Sequence, residues 1–376
     1  ISIACGAYHT VFVDDERHAF CCGSNEKGQL GLGSLPLSAD EKVIRTISPV
    51  MPTKDGVRTA ACGFDFTIFL HTNGTISTFG NGAEGQLGHG VDGQTSEPKS
   101  TPTPTLVKGL LHVRCLQVAA GDCHSLFLTS DGRVFSCGKT EYGRLGHGSQ
   151  EETDLSRSAP KRVVFSETER RNKTKSRRRG GGGDEAEEEE AEEKEKQKET
   201  VPSPPPVVVA AVFAGAATSF VVTSSDNVFG WGCNAHGMLG IGNDQDAFLP
   251  TRVVAFGGFS GDGGEDGGED GGGESRLSVR SIGVGSEHTL FLTWSGNIYG
   301  CGNCSRERLG FEGTSIDMSM FDPHLIDYFA REGVSIDSIS VGGAHSFALS
   351  VVLDDADDVK TKREEEEEEE DWPTSP

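Results

Sequence analysis

Four dipeptides at matching points of this chain join an imidazole to a hydroxyl: His9-Thr10, His124-Ser125, His288-Thr289 and His345-Ser346. A base beside a nucleophile invites a hydrolytic reading, but such catalysis needs the two side chains to converge and a third group to orient the base. The sequence offers no nucleophile elbow, no carboxylate paired with these dipeptides and no phosphate-cradling glycine loop ahead of a helix. The plainer reading is that a histidine recurring at one point of each unit hydrogen-bonds a neighbouring backbone and holds a bend between strands. Two of the six frames have lost it, to Phe66 and Thr218, while keeping a following Thr67 and Ser219. Cys301 and Cys304 form a lone Cys-x-x-Cys without a second half. No metal and no cofactor is assigned.

The elements that carry these residues are copies of one stretch, Val118–Gly148. Within it Ser125–Thr129 and Arg133–Cys137 are strand-forming runs, and Asp131-Gly132 is the tight turn that joins them as a β-hairpin. Three glycines recur at intervals of 17 and 8 residues: Gly6, Gly23, Gly31; Gly63, Gly80, Gly88; Gly121, Gly138, Gly146; Gly215, Gly232, Gly240; Gly285, Gly302, Gly310. They are read as the points where the backbone bends between strands. A sixth copy opens at Gly342 and stops after two strands, near Leu353. Units therefore start near residues 1, 60, 118, 212, 282 and 339.

With second halves reading NEKGQLGLG, NGAEGQLGHG, TEYGRLGHG, NAHGMLGIG and CSRERLGFEG, these units closely resemble the repeats of the regulator of chromosome condensation superfamily. The resemblance spans residues 1–353 apart from insertions. It implies an all-β fold, a β-propeller of about six recognisable blades with the last incomplete, where the family commonly has seven. WD and kelch repeats fit less well. In family members that promote nucleotide exchange on the small GTPase Ran, an Asp and a His in bends of different blades are important. By motif match the equivalents are Asp65 or Asp122, with His124, His288 or His345. The resemblance thus implies a protein partner, either a Ran-type GTPase or a chromatin protein; the alternative is a recognition domain cut from a larger protein such as a HECT-type ubiquitin ligase. Trp231, Trp294 and Trp372 are too few and scattered for the tryptophan-rich interface of the ultraviolet-B photoreceptor in this superfamily.

The formal charge of −24 over 376 residues is concentrated in a few stretches. Asp184–Glu199 carries ten acidic residues against three basic, Gly261–Glu274 six against none, and Asp354–Asp371 twelve against three. Insertions at 166–206 and 257–274 and the tail 354–376 have almost nothing apolar to bury and are expected to be disordered. The acidic total argues against DNA binding through the propeller body, which would need clustered Lys and Arg. One basic run, Arg170, Arg171, Lys173, Lys175, Arg177, Arg178 and Arg179, reads either as a nuclear-localisation or nucleic-acid patch or as a solvated loop neutralised by its acidic neighbour. No apolar run approaches the roughly 20 residues that cross a bilayer. Several of the ten cysteines share repeat positions with Ala, Val, Phe or Trp, as buried packing groups in a reducing, nuclear or cytoplasmic compartment would. The chain enters directly on a strand with no initiator Met, signal or transit segment, the mark of an excerpt or processed product.

Overall fold

The second strand of each copied unit is unusually apolar for an antiparallel sheet: FTIFLH, HSLFLT, TSFVVT and HTLFLT are buried along their whole length. A strand with one face to water would alternate. Burial on both faces requires that each small sheet be sandwiched between two others, which is how propeller blades stack. The computed structural model describes residues 2–34, 42–90, 100–148, 156–165, 207–257, 277–311 and 318–350. The basic run, the insertions (Gly257 apart) and the tail lie outside the described residues.

Blade 1 comprises β1 (Ser2–Cys5), β2 (His9–Val13), β3 (Ala19–Ser24) and β4 (Val43–Pro49); blade 2 comprises β5 (Val57–Cys62), β6 (Phe66–His71), β7 (Ile76–Gly80) and β8 (Thr101–Leu106). Blade 3 holds β9 (Cys115–Ala120), β10 (His124–Thr129), β11 (Val134–Lys139) and β12 (Ser156–Arg162). Blade 4 holds β13 (Val209–Ala214), β14 (Thr218–Thr223), β15 (Val228–Gly232) and β16 (Ala247–Arg252). Blade 5 holds β17 (Val279–Val284), β18 (His288–Thr293), β19 (Ile298–Asn303) and β20 (Ser319–Leu325); blade 6 shows β21 (Ser338–Val341) and β22 (Ser346–Leu349). All pairings are antiparallel between chain neighbours, giving five four-stranded sheets and one two-stranded sheet among the described residues. A short helix, α1 (Asp327–Arg331), precedes β21. The expected incomplete sixth blade is present, and each later unit begins one to three residues before its expected start.

The outer strands β4, β8, β12, β16 and β20 fall in what reads from sequence as linker. Four of them carry a proline, Pro104, Pro160, Pro250 and Pro323, one residue before the position paired across the sheet with Thr78, Ser136, Gly230 and Gly300. Proline withholds a backbone donor, so it is confined to edge strands and bulges, and it blunts the edge against further pairing.

The middle glycine of each triplet is not a bend between strands. Gly23, Gly80, Gly138, Gly232 and Gly302 lie in or at the end of the third strand, with φ between +102° and +118°, and each sits at a register shift against the fourth strand. A Cβ on Gly138 would collide with the Cys123 carbonyl, so the bulge requires glycine. The first and third glycines mark close approaches between blades: Gly121 faces the Gly215 carbonyl, and Gly146 faces the Trp231 indole.

The core lies between blades. Val11, Val13 and Cys21 of blade 1 pack with Phe69 and Phe79 of blade 2; Phe66, Ile68 and Leu70 of blade 2 pack with Phe127 and Cys137 of blade 3. Trp231, Phe220 and Phe291 continue the cluster through blades 3 to 5. The ends of all six first strands, with their following bends, surround one opening of about 380 Å³. That opening is the mouth of the propeller's axis.

Candidate protein-interaction face

Three of the five joints between consecutive blades are closed by a three-membered chain of polar groups that starts at a histidine and passes through a hydroxyl of the next blade. His9 Nε2 lies 3.0 Å from Thr67 Oγ1 of the next blade, and Thr67 Oγ1 donates back to the Gln29 carbonyl at 2.8 Å. His124 reaches Ser219 at 2.9 Å, whose hydroxyl donates to the Arg144 carbonyl at 2.9 Å. His288 reaches Ser346 at 2.9 Å, which donates to the Arg308 carbonyl at 2.9 Å. Where the histidine is Phe66 or Thr218 the hydroxyl of the next blade still donates, from Ser125 to Gln86 and from Thr289 to Met238. The histidine partner is therefore a side chain of the following blade, where the sequence reading expected a neighbouring backbone.

Because each hydroxyl spends its proton on a carbonyl, the imidazole must be the donor at Nε2. Nδ1 of His9, His124 and His288 is buried with no hydrogen-bond partner. Burial pulls these imidazoles from the usual 6.5 down to about 4, about 3 and about 4 respectively, since a charged ring would be desolvated without compensation. His124 and His288 have no exposed surface. As partner-contact candidates they are corrected: they join blades. His345 is exposed.

Asp122 lines the axial mouth, whereas Asp65 follows the mouth-lining Phe64 without lining the opening itself. They are half-buried, and burial raises both carboxyl groups above the usual range, partly opposed by Lys27 at Asp65 and by Arg144 at Asp122. They are not repeat equivalents, since Asp65 is two residues after its glycine and Asp122 one. The true counterpart of Asp65 is Glu287, which the sequence reading missed; aligning on the residue two past each first glycine would have found it. Glu287 Oε2 accepts from Arg308 at 2.8 Å and from Asn303 at 2.9 Å. Phe64, 40% exposed at the mouth, is met edge to face at 5.6 Å by Tyr8, 66% exposed. In the loop after β11 the exposed Tyr142 lies under the Arg144 guanidinium, 5.5 Å from its centroid. Exposed aromatics beside a carboxylate and backbone bends make a surface suited to a protein partner.

The thiols of Cys301 and Cys304 are aimed apart, at the Met238 and Gly302 carbonyls, and burial raises both. Cys5, expected to be buried packing, is exposed. Among the described residues Asp14, Glu16 and His18 are grouped closely enough to share an ion, but on a solvated hairpin turn where His18 already bonds Asp14.

Blades of four antiparallel strands around an axial mouth define a β-propeller of the repeat-built class. The chain matches the Regulator of chromosome condensation (RCC1) repeat over residues 73–128, 131–176 and 225–292, and a second form of that repeat over residues 1–29, 57–86, 115–144 and 209–237. It belongs to the RCC1 repeat family. It is 24% identical to human "Probable E3 ubiquitin-protein ligase HERC6", over 93% of this chain and 27% of that protein. It is 25% identical to the Ultraviolet-B receptor UVR8 of Arabidopsis thaliana, over 93% of this chain and 62% of that one. The chain thus spans less than two thirds of each. Prp20p of Saccharomyces cerevisiae, characterised by crystal structure and by its binding properties to Gsp1p and histones, superposes with a TM-score of 0.58 at 19% identity over 98% of this chain and 86% of that one, a likeness of fold.

Proposed function

We propose that this propeller is a protein-binding module whose axial mouth is the docking face, and that its specific activity is guanine-nucleotide exchange on a Ran-type small GTPase. The observation that carries the reading is the exposed Tyr8–Phe64 pair on adjacent bends, with Phe64 and Asp122 lining the mouth and Asp65 following Phe64 in its bend. An exchange factor works by holding the nucleotide-free GTPase more tightly than the loaded one, which needs a rigid surface and no covalent chemistry. Burial of the histidines inside the joints leaves the mouth residues to make the contacts. The test is release of a fluorescent guanine nucleotide from a Ran-type GTPase. The chain is expected to accelerate it, and Asp65→Ala or Asp122→Ala to slow the accelerated rate at least about tenfold, the effect of losing a central contact of about 2 kcal/mol, with Tm unchanged. A folded chain that leaves release unaltered would reject exchange.

A second reading is a recognition domain within a ubiquitin ligase, favoured by the match of nearly this whole chain to about a quarter of HERC6. We also propose nuclear residence through the basic run. Replacing Arg177, Arg178 and Arg179 with Ala in a tagged chain is expected to lower its nuclear fraction without changing the fold, and an unaltered distribution would return the run to a solvated loop.

A further inference from the structure

Consecutive blades are tied to one another in three ways. At the axial mouth the residue after the first glycine donates its N–H to the corresponding carbonyl of the next blade: Phe64 to Asp122 at 3.2 Å, Asp122 to Ala216 at 3.1 Å and Ser286 to Gly343 at 3.2 Å. Next to it stands the histidine bond to a hydroxyl of the next blade. At the opposite ends of the strands, a residue at or just ahead of each first strand donates to the hairpin turn of the blade before. These bonds run from Val57 to Arg17 and from Cys115 to Gly74 at 2.9 Å, from Val209 to Gly132 at 3.0 Å and from Ile336 to Gly296 at 3.1 Å. The joint between blades 1 and 2 lacks only the axial tie. That between blades 2 and 3 lacks only the histidine, where Phe66 packs instead. Among the described residues the joint between blades 4 and 5 lacks all three. The Ala216 N–H does not meet the Ser286 carbonyl, nor the Val279 N–H the Asp226 carbonyl, and Thr218 stands in place of the histidine. Two polar atoms are left over: Thr218 Oγ1, and Asn227 Oδ1 in the turn that would receive Val279, are buried with no hydrogen-bond partner. Val284 takes part of the vacated room, its side chain being the first group that a Cβ on Gly215 would meet.

What holds this joint is mainly apolar. Phe220 meets Phe291 edge to face at 5.8 Å, and Phe256 lies 4.8 Å from Phe291 and 5.7 Å from Tyr299. The Thr289 hydroxyl on the Met238 carbonyl is the one polar bond retained there from the repeat pattern. Hydrophobic attraction has no preferred direction, so packed rings tolerate a small slide, whereas a backbone hydrogen bond weakens steeply once its angle is lost. We propose that the joint between blades 4 and 5 is the hinge of the ring, the two blades rocking about the Phe220, Phe256 and Phe291 cluster with both ends of the joint free. Ala216 and Ser286 both line the axial mouth, so this motion sets the mouth's width. A partner entering the mouth would part these two bends without breaking a bond between them, which is the economy of hinge closure around a ligand. The hinge does not require that the mouth be a docking face; its use in docking rests on that reading.

The chain carries its own reporters. Cys301 and Cys137 hold the same place on the third strand, paired with Thr289 and Ser125, and both are fully buried. Each thiol donates to the loop of the blade before, at Met238 and at Gln86. Cys301 thus reports on the joint between blades 4 and 5 and Cys137 on the tied joint between blades 2 and 3. Burial raises both thiols, so alkylation must wait for opening, and global unfolding exposes both alike. The 376-residue chain is incubated with iodoacetamide under native conditions, quenched at intervals and read by peptide mass spectrometry. Cys301 is expected to be alkylated at least about tenfold faster than Cys137, the mark of a local opening. Cys304, buried on the flank of blade 5 that packs against Ile336 and Ile339, is expected to lag behind Cys301, because a hinge leaves that flank closed and detachment of blade 6 does not. These comparisons need no variant. Thr218→His with Val284→Ala, which copies the His124 and Ala214 of the joint between blades 3 and 4, is expected to slow Cys301 to the rate of Cys137. Equal rates for Cys301 and Cys137, a Cys304 as fast as Cys301, or an undiminished Cys301 rate in the folded double variant would each overturn the proposal.

Discussion

A histidine that looks catalytic in sequence serves in this structure as a neutral donor, and its neutrality has a thermodynamic signature. Once unfolded, His9, His124 and His288 take up protons near pH 6.5; folded, they resist until about 4, about 3 and about 4. The unfolded chain therefore binds more protons between about pH 6.5 and 4, and stability must fall as pH drops through that window, by at most about 1.4 kcal/mol per pH unit for each histidine. Their contribution is complete above pH 6.5. His71 and His89, also lowered by burial, act in the same direction. The raised carboxyl groups of Asp65 and Asp122 act oppositely just above pH 3.8, so pH 5 to 7 is the informative range. Urea midpoints measured there are expected to rise with pH, and His124→Gln, which keeps a donor but cannot titrate, is expected to shrink the slope. A flat profile would mean that the imidazoles are hydrated in solution.

At the scale of elements, what sequence reveals depends on whether a residue is fixed by backbone geometry or by a neighbour. The bulge glycines and hairpin turns are dictated locally, so three strands per blade were legible from spacing, as was the halt after two strands in unit six. The fourth strands were not, because their marker proline follows the bulge glycine at a variable distance: 24 residues from Gly80 to Pro104, 18 from Gly232 to Pro250. The site was legible in part. Asp122 lines the mouth, but burial of His124 and His288 comes from the following blade, which no local pattern encodes. Tryptophans make the same distinction testable. Trp231 is buried between blades with its indole donating to Arg144; Trp294 is 69% exposed beneath Arg280 at 5.5 Å. Trp231→Ala is expected to cost about 3–5 kcal/mol in urea unfolding, and Trp294→Ala no more than about 1 kcal/mol. Equal losses would place Trp231 outside the core.

At the scale of the molecule, stability should vary from blade to blade, since in repeat architectures it is approximately a sum of unit and nearest-neighbour terms. Central blades have two neighbours, and β6, β10, β14 and β18 are buried on both faces. Among the described residues the first and sixth blades lack that cover. In β2 buried and half-buried residues alternate, the pattern of a strand covered on one side only, and Ile3 of β1 is exposed. In β22, Phe347 and Leu349 are 65% and 62% exposed, although the same positions in blade 3, Leu126 and Leu128, are buried. Among the described residues no following blade receives the His345 Nε2 proton, and the Thr10 hydroxyl meets the weak acceptor Cys5 Sγ at 3.8 Å. Amide protection tracks the free energy of local opening, which is low where buried apolar contacts are few. Hydrogen exchange followed by mass spectrometry is therefore expected to rank β10, β14 and β18 slowest, β2 intermediate, and β1, β21 and β22 fastest, with at least about a hundredfold between the extremes, equivalent to about 3 kcal/mol of opening free energy. Protection of β22 equal to that of β10 in the chain alone would contradict the exposed flank and show that blade 6 is covered in solution.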